Sequence, residues 1–188
     1  MMETAVKREV KKRELKAVDV VLAGILIAAG AVLRLYTPPF FGITPNLVIG
    51  MYCLAILLIR PSFKEVIGIG IVAAAVCHFT TKSLIPYINF ASEPIGAIVA
   101  GLLVMAPFKL SLGGKYSLKP FVVTFLGTAA SGLTYITILK FLILFIETPK
   151  NPAFTYLLTV VVVTAVVNSV LAQVLYYPIK MALGKNDE

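Results

Sequence analysis

Polar and aromatic side chains are concentrated in two short segments of an otherwise apolar chain. The segments cover residues 37–46 and 78–89, contain prolines, and together with their flanks supply Arg34, Tyr36, Phe40, Phe41, Asn46, His78, Thr80, Thr81, Lys82, Tyr87, Asn89, Phe90 and Glu93. A site for a small amphipathic solute needs this mixture, because aromatic walls bury the solute while a few polar groups fix its orientation. The same residues would also suit an aromatic belt at a membrane surface. Because the other loops have ordinary compositions, we favour a binding pocket.

The sequence carries no arrangement of side chains that predicts catalysis. Its one histidine, His78, is by itself more typical of a helix end than of a base or ligand. It has no G-x-S-x-G, H-E-x-x-H or P-loop motif. The two cysteines, Cys53 and Cys77, lie within apolar runs and are predicted to be small core residues. We therefore expect neither an enzyme nor a metal or cofactor site.

The composition places the elements that position these residues in a membrane. Hydrophobic residues make up 59% of the 188 residues and charged residues 14%, with a mean hydropathy of +0.94. In soluble domains about a quarter of the residues are charged. The apolar runs approach the length of about 20 residues that a helix needs to cross a bilayer, and they do not alternate like the strands of a barrel. We predict an all-α, polytopic membrane bundle of six transmembrane helices.

The six predicted spans cover about residues 18–35, 46–59, 63–78, 94–108, 121–146 and 154–183. Thr44 and Pro45 suit the start of span two, and the run from Ser92 to Pro94 suits the start of span four. Ser62 and Glu65 predict a capping box at the start of span three. Spans two and three are shorter than a full crossing, so their flanking segments are expected to be buried in protein or to line a cavity.

Basic residues are distributed unevenly between the two sides of the predicted bundle. The side that holds both termini carries thirteen lysines and arginines, and the other side carries three. Cytoplasmic loops carry such an excess, so we predict cytoplasmic termini and attribute the net charge of +8 to these loops instead of a nucleic-acid partner. Residues 1–17 are predicted to form a basic cytoplasmic N-terminal segment, residues 18–183 the transmembrane domain, and residues 184–188 a C-terminal tail.

Small residues form a stripe on span one. Gly24, Ala28 and Ala31 follow the spacing i, i+4, i+7, which allows another helix to approach closely. The spacing leaves open whether that helix belongs to the same chain or to a partner subunit.

Polar residues inside the spans are expected to face the interior of the bundle, because lipid cannot solvate them. Span five carries four hydroxyl groups on one face, at Thr124, Thr128, Ser131 and Tyr135. Asn168 in span six is expected either to line a pocket or to form a structural bond between helices. The sequence places no acidic residue deep in a predicted span, which argues against a proton relay built on carboxylates.

Together these features resemble the substrate-binding S component of an energy-coupling factor transporter. The architecture of six spans, cytoplasmic termini, a small-residue face and two outer loops is similar to that group over most of the chain. The sharper motifs resemble the tryptophan-specific S components and read Pro38-Pro39-Phe40-Phe41-Gly42, Thr44-Pro45-Asn46, Thr80-Thr81, Ile85-Pro86-Tyr87-Ile88-Asn89, Glu93-Pro94 and Val167-Asn168-Ser169.

The resemblance implies a subunit of a prokaryotic inner or plasma membrane that captures a solute outside, topples in the lipid bilayer and releases the solute inside. A transmembrane coupling subunit and two cytoplasmic ATPase subunits would drive this cycle. The face formed by Gly24, Ala28 and Ala31 would contact the coupling subunit.

The resemblance also implies roles in binding tryptophan. Lys82 or Arg34 would meet the carboxylate of the amino acid, and Glu93 would meet its ammonium group. The aromatic and amide side chains that would enclose the indole and complete the hydrogen bonds are Phe40, Tyr87, Phe90, Asn46, Asn89 and Asn168.

Two other functions remain open from the sequence. The same architecture could bind a different solute, such as a water-soluble vitamin. Alternatively, the chain could be a membrane scaffold or assembly factor that transports nothing. A cavity under the outer segments would favour solute binding over a scaffold.

Overall fold

The computed structural model describes residues 15–39, 44–81, 83, 85–107, 110–112, 116–146 and 151–184. Most of the predicted N-terminal segment and of the C-terminal tail therefore lies outside the described residues. The elements in chain order are α1 (Ala17–Tyr36), α2 (Leu47–Ile59), α3 (Phe63–Thr80), a 3₁₀ turn (Pro86–Ile88), α4 (Asn89–Met105), β1 (Ser111–Leu112), β2 (Tyr116–Ser117), α5 (Lys119–Ile143) and α6 (Phe154–Ala182).

The predicted helical bundle is confirmed. Every helix except α2 is long and apolar enough to cross a membrane, counting the 3₁₀ turn as part of the fourth span. Between α4 and α5 the chain departs from an all-α fold, since β1 and β2 form an antiparallel ladder of two residue pairs. The number of crossings and the side on which the termini lie stay predictions.

The short helix α2 is the centre of the bundle. All 13 of its residues are buried, and it contacts each of the other five helices. One face packs with α3, α4 and α5 in a cluster that includes Tyr52 and Cys53. The opposite face packs with α1 and α6 in a second cluster that includes Met51 and Leu54. A helix that is apolar all round, as α2 is, is stable only when neighbours cover it on every side.

The start of the fourth span differs from the prediction. We expected Ser92, Glu93 and Pro94 at the beginning of that helix, but α4 begins at Asn89 and contains Pro94 in its interior. The 3₁₀ turn leads directly into α4, and the Asn89 side chain donates a hydrogen bond of 2.6 Å to the carbonyl oxygen of Pro86. The extra turn before Pro94 places Glu93 inside the span instead of at its end.

The predicted start of α3 is confirmed, whereas that of α2 is not. The capping box of α3 is confirmed, because the Glu65 carboxylate accepts a hydrogen bond of 2.6 Å from the backbone N–H of Ser62. At α2 the prediction was wrong by a few residues. The N-cap is Asn46, not Thr44.

Glycine allows α1 and α2 to pack backbone against backbone. A Cβ atom on Gly30 would lie 2.8 Å from the Cα atom of Val48 and 3.1 Å from the carbonyl oxygen of Leu47. Because those neighbours are backbone atoms, a side chain at position 30 would force the two helices apart. Within the described residues, a Cβ atom on Gly24 of the same helix would meet no atom of another element within 4 Å.

This difference predicts opposite effects for the same substitution at two positions of α1. We expect Gly30→Ala to lower the free energy of unfolding by about 1–3 kcal/mol through overpacking, and Gly24→Ala to leave it unchanged or to raise it, because alanine favours helix more than glycine does. Unfolding can be followed with a thiol-reactive fluorophore in detergent, because both cysteines of the chain are free and buried. Equal stability of the two variants would contradict the α1–α2 packing.

Candidate functional site

A cavity of about 370 Å³ lies at one end of the bundle, where α1, α3 and α5 end and α2, α4 and α6 begin. Its volume is within the range of small-molecule sites, about 300–1,000 Å³. The segment before α2 contributes Thr44 and Asn46 to its lining, and the segment after α3 contributes Thr81 and Ser83. The segment between α2 and α3 is not part of the lining, and α3 itself is long enough to cross a membrane, unlike the prediction. The polar residues that line it are Arg34, Thr44, Asn46, Thr80, Thr81, Ser83, Asn89, Ser92, Glu93, Thr128, Ser131, Tyr135, Tyr156 and Thr164.

Among the described lining residues, Glu93 is the acidic one, and only 1% of this residue is exposed. It accepts hydrogen bonds from Asn46 Nδ2 at 2.9 Å, from the Tyr52 hydroxyl at 3.2 Å and from Ser131 Oγ at 3.1 Å. These donors belong to the start of α2, the middle of α2 and α5. The expectation that no acidic residue lies deep in a span was therefore wrong, since the early start of α4 carries Glu93 into the bundle.

Close packing brings the donors to the carboxylate. A Cβ atom on Gly96, which is one turn beyond Glu93 on α4, would lie 2.7 Å from the Cβ atom of Ser131 and 2.9 Å from the carbonyl oxygen of Gly127. The absence of that Cβ lets α4 and α5 approach closely enough for Ser131 to reach Glu93. Hydrogen bonds to a buried carboxylate are stronger than bonds between neutral groups, so this packing fixes the position of Glu93.

Asn168 connects α6 to the beginning of α2. Its Nδ2 donates to the backbone oxygen of Asn46 at 3.0 Å and to Thr128 Oγ1 at 3.3 Å. Gly50 makes room for it, because a Cβ atom there would lie 3.0 Å from Asn168 Oδ1. Asn168 is fully buried beneath the cavity and is not among the residues that line it. Its amide therefore holds in place Asn46, which does line the cavity.

Arg34 presents an unpaired hydrogen-bond donor at the cavity. One guanidinium nitrogen, Nη2, donates to Thr81 Oγ1 at 3.0 Å. The other, Nη1, is buried and has no partner within the described parts of the chain. Ser92 Oγ is a second buried polar atom of the cavity lining that has no partner there. Leaving a buried donor unsatisfied costs about 1–3 kcal/mol, and more for a charged group, so such atoms mark positions where a ligand could bind.

The remaining wall of the cavity is largely aliphatic. It is formed by Ile136 and Leu139 of α5 and by Leu157, Val160 and Val161 of α6, with the polar Tyr135, Tyr156 and Thr164 beside them. The cavity thus combines an acidic group, a guanidinium group and an aliphatic surface, which is the combination that binds a small amphipathic molecule with charges of both signs.

The structure brings three of the predicted site residues together, because Asn46, Asn89 and Glu93 all line the cavity. Tyr87 lies elsewhere, is 72% exposed, and packs its ring against His78 at a centroid distance of 4.7 Å. Phe40 and Lys82 lie outside the described residues. The functional roles of these residues stay predictions.

Sequence reasoning did not identify Tyr52 as a partner of Glu93. Tyr52 lies in an apolar run of α2. The available signal was its hydroxyl group, because a buried tyrosine hydroxyl in a dry core needs a polar partner. Among the residues that the structure describes, no three His, Cys, Asp or Glu side chains lie close enough together to hold a metal ion.

The small-residue stripe of α1 is divided between two environments. Gly24 and Ala28 are exposed on the outside of the bundle, whereas Ala31 packs against the cluster that includes Tyr52 and Cys53. The small residues of α1 that are buried against the rest of the chain are Ala23 and Gly30. Among the described residues, the face that carries Gly24 and Ala28 is therefore not covered by another helix of this chain.

Comparison with known proteins gives two matches that cover most of the chain. The profile of the family described as "Tryptophan transporter TrpP" matches residues 16–184. A protein of Bacillus subtilis (strain 168) named "Probable tryptophan transport protein" is 29% identical over 169 residues, which cover 88% of this chain and 91% of that protein. No solved structure matches the chain. The family match contains all six helices.

The hydrogen bonds to Glu93 predict a measurable loss of stability when a donor is removed. Tyr52→Phe deletes one hydroxyl group and leaves part of the buried carboxylate unsatisfied, so we expect the free energy of unfolding to fall by about 1–3 kcal/mol. Tyr36→Phe makes the same chemical change on a ring that is 83% exposed and should have no effect. Thermal unfolding in detergent, reported by exposure of the two cysteines, compares the variants. If both unfold like the wild type, the Tyr52 bond contributes nothing.

Proposed function

The chain belongs to the TrpP family of tryptophan transporters, and on that premise we propose that it binds tryptophan in the cavity and carries it into the cell. Family membership makes it a transport protein instead of an enzyme, and the predicted resemblance to tryptophan transporters is confirmed at this level. With its series of apolar helices, it is a multi-pass protein of a prokaryotic cell membrane.

The observation that carries the proposal is the presence of Glu93 and Arg34 in one cavity. A free amino acid has an ammonium and a carboxylate group on the same carbon, and it needs one partner of each charge. The Glu93 carboxylate takes its hydrogen bonds from the neutral groups of Asn46, Tyr52 and Ser131. Arg34 Nη1 has no partner within the described structure. We assign the ammonium group of the substrate to Glu93 and its carboxylate to Arg34, because charge-assisted hydrogen bonds of this kind are strong and directional.

The other predicted site residues complete the proposal. Asn46 and Asn89 would supply amide groups from the cavity lining, and Asn168 would hold Asn46 in position. Contact of Phe40 and Tyr87 with the indole, and of Lys82 with the carboxylate as an alternative to Arg34, stay predictions. With both termini in the cytoplasm, the cavity would open towards the outer face of the membrane, where the solute is captured.

We further propose that the chain acts as the S component of an energy-coupling factor transporter. The sequence has no P-loop with which to hydrolyse ATP, so uphill transport would take its energy from a transmembrane coupling subunit and two cytoplasmic ATPase subunits. The exposed small residues Gly24 and Ala28 support this proposal, because such residues let a partner helix approach closely within lipid. Ala31 would border the same contact.

Tryptophan binding can be measured directly, because the chain contains no tryptophan and the bound amino acid supplies the indole fluorescence. We expect saturable binding by the purified wild type. Glu93→Gln and Arg34→Gln should each weaken binding at least tenfold, since each removes a charge that pairs with the substrate. Glu65→Gln makes the same change in the capping box of α3, at the other end of the bundle, and should bind like the wild type.

Two results would contradict this proposal. Absence of saturable binding, together with a vitamin that stays bound through purification, would exclude tryptophan as the substrate. Equal binding by all three variants would place the amino acid outside the cavity.

The coupling proposal predicts a separation of binding from transport. Gly24→Leu and Ala28→Leu should abolish tryptophan uptake in an auxotrophic host and prevent copurification with the coupling subunit, because the added side chains keep the partner helix away. Tryptophan binding by the purified variants should not change. Val174→Phe enlarges a residue of α6 that is 63% exposed on the outside of the bundle and should preserve uptake. Normal uptake by the Gly24 and Ala28 variants would show that docking occurs elsewhere.

A further inference from the structure

We propose that the aliphatic wall between α5 and α6 holds the side chain of the bound amino acid, and that Val161, positioned against Gly132, determines which side chains fit. The proposal rests on the tryptophan site described above and adds the part of that site that distinguishes one amino acid from another.

The first argument is the separation of polar and apolar groups within the cavity. The groups assigned to the ammonium and carboxylate lie on α1 and α4, at Arg34 and Glu93. On α5, Ser131 is directed towards Glu93 on α4 and bonds to it. An amino acid held at both charged groups would place its side chain against a part of the lining that carries no charge, and the aliphatic residues of α5 and α6 supply such a part.

The second argument is the composition of that boundary. Gly132, Ile136 and Leu139 follow the spacing i, i+4, i+7 on α5, so they form one stripe along the helix. Leu157 and Val161, with Val160 beside them, form the facing stripe of α6. Both stripes consist of aliphatic groups apart from the glycine, and Thr128 on α5 and Thr164 on α6 continue them at one end. A large ring with little polarity gains free energy by replacing water against such a surface.

The third argument concerns the position of Val161. A Cβ atom on Gly132 would lie 2.8 Å from both methyl carbons of Val161, so the valine already rests on the backbone of α5. Val161 is 7% exposed, and a valine in a helix is largely restricted to one side-chain rotamer. A larger residue at position 161 cannot move towards α5 and must extend into the cavity, whereas a smaller one enlarges the cavity at this point.

The neighbouring residue provides a matched control. Val162 has the same side chain on the same helix but is 49% exposed on the outside of the bundle and is not among the residues that line the cavity. The same substitutions at position 162 therefore change α6 by the same side-chain groups but leave the lining of the proposed pocket unchanged.

The test compares tryptophan with a tryptophan that carries a bromine atom on its six-membered ring, by fluorescence titration and competition. Val161→Phe should weaken tryptophan binding by about tenfold or more, and Val161→Ile should weaken it by a smaller factor, since each added group occupies space used by the ring. Val161→Ala should change the affinity ratio of the two ligands severalfold in favour of the bromo compound. Val162→Phe, Val162→Ile and Val162→Ala should leave both affinities unchanged.

Protection of Cys53 and Cys77 from the thiol reagent identifies the variants that are folded. If Val161→Phe does not fold, Val161→Ile and Val161→Ala still test the inference. If all the position 161 variants bind tryptophan with the same affinity as the wild type, this inference is overturned and the proposed function stands. The same holds if Tyr87→Ala weakens binding while the position 161 variants do not, because the ring would then lie at the outer aromatic residues. Absence of tryptophan binding by the wild type would overturn the proposed function and the inference with it.

Discussion

A carboxylate that is almost fully buried among apolar helices must obtain most of its hydrogen bonds from protein, because lipid cannot solvate it. Glu93 satisfies this requirement with donors from α2 and α5, at Asn46, Tyr52 and Ser131. The bonds therefore connect three helices at one point, and any shift of α2, α4 or α5 would leave a polar group unsatisfied. The site has its shape because this group has to be solvated by the chain itself.

The cavity exists because the central helix is short. A helix of 13 residues is about 20 Å long, whereas the hydrocarbon core of a bilayer is about 30 Å thick. The longer helices continue past the start of α2 and enclose space that α2 does not fill. Asn168 ties α6 to the start of α2 beside that space, because its side-chain amide donates to the backbone oxygen of Asn46. On the other side of the cavity, Ser83, in the segment between α3 and the 3₁₀ turn, is joined to α5 by a hydrogen bond with the Tyr135 hydroxyl.

The two proposed functions of the chain meet on α1. Arg34 lies in the last turn of this helix, at the cavity, while Gly24 and Ala28 lie nearer its beginning and are exposed. The backbone of α1 packs directly on α2 at Gly30, between those two regions. A partner that moves α1 would therefore also move the group assigned to the substrate carboxylate, which gives the proposed coupling subunit a direct mechanical path to the site.

The sequence alone determined the membrane class, the helical bundle and most helix boundaries, because hydrophobicity and capping residues act over a few neighbouring positions. It also indicated that Asn46, Asn89 and Glu93 belong to one polar region. It did not determine that α4 begins before Pro94, that Tyr52 bonds to Glu93, or that Val161 rests on Gly132. Those features depend on which faces of distant helices meet and how closely they approach, and only the packed bundle decides that. The burial of Glu93 is the clearest example. Because α4 begins one turn earlier than expected, this residue lies buried in the cavity lining and not at a helix end.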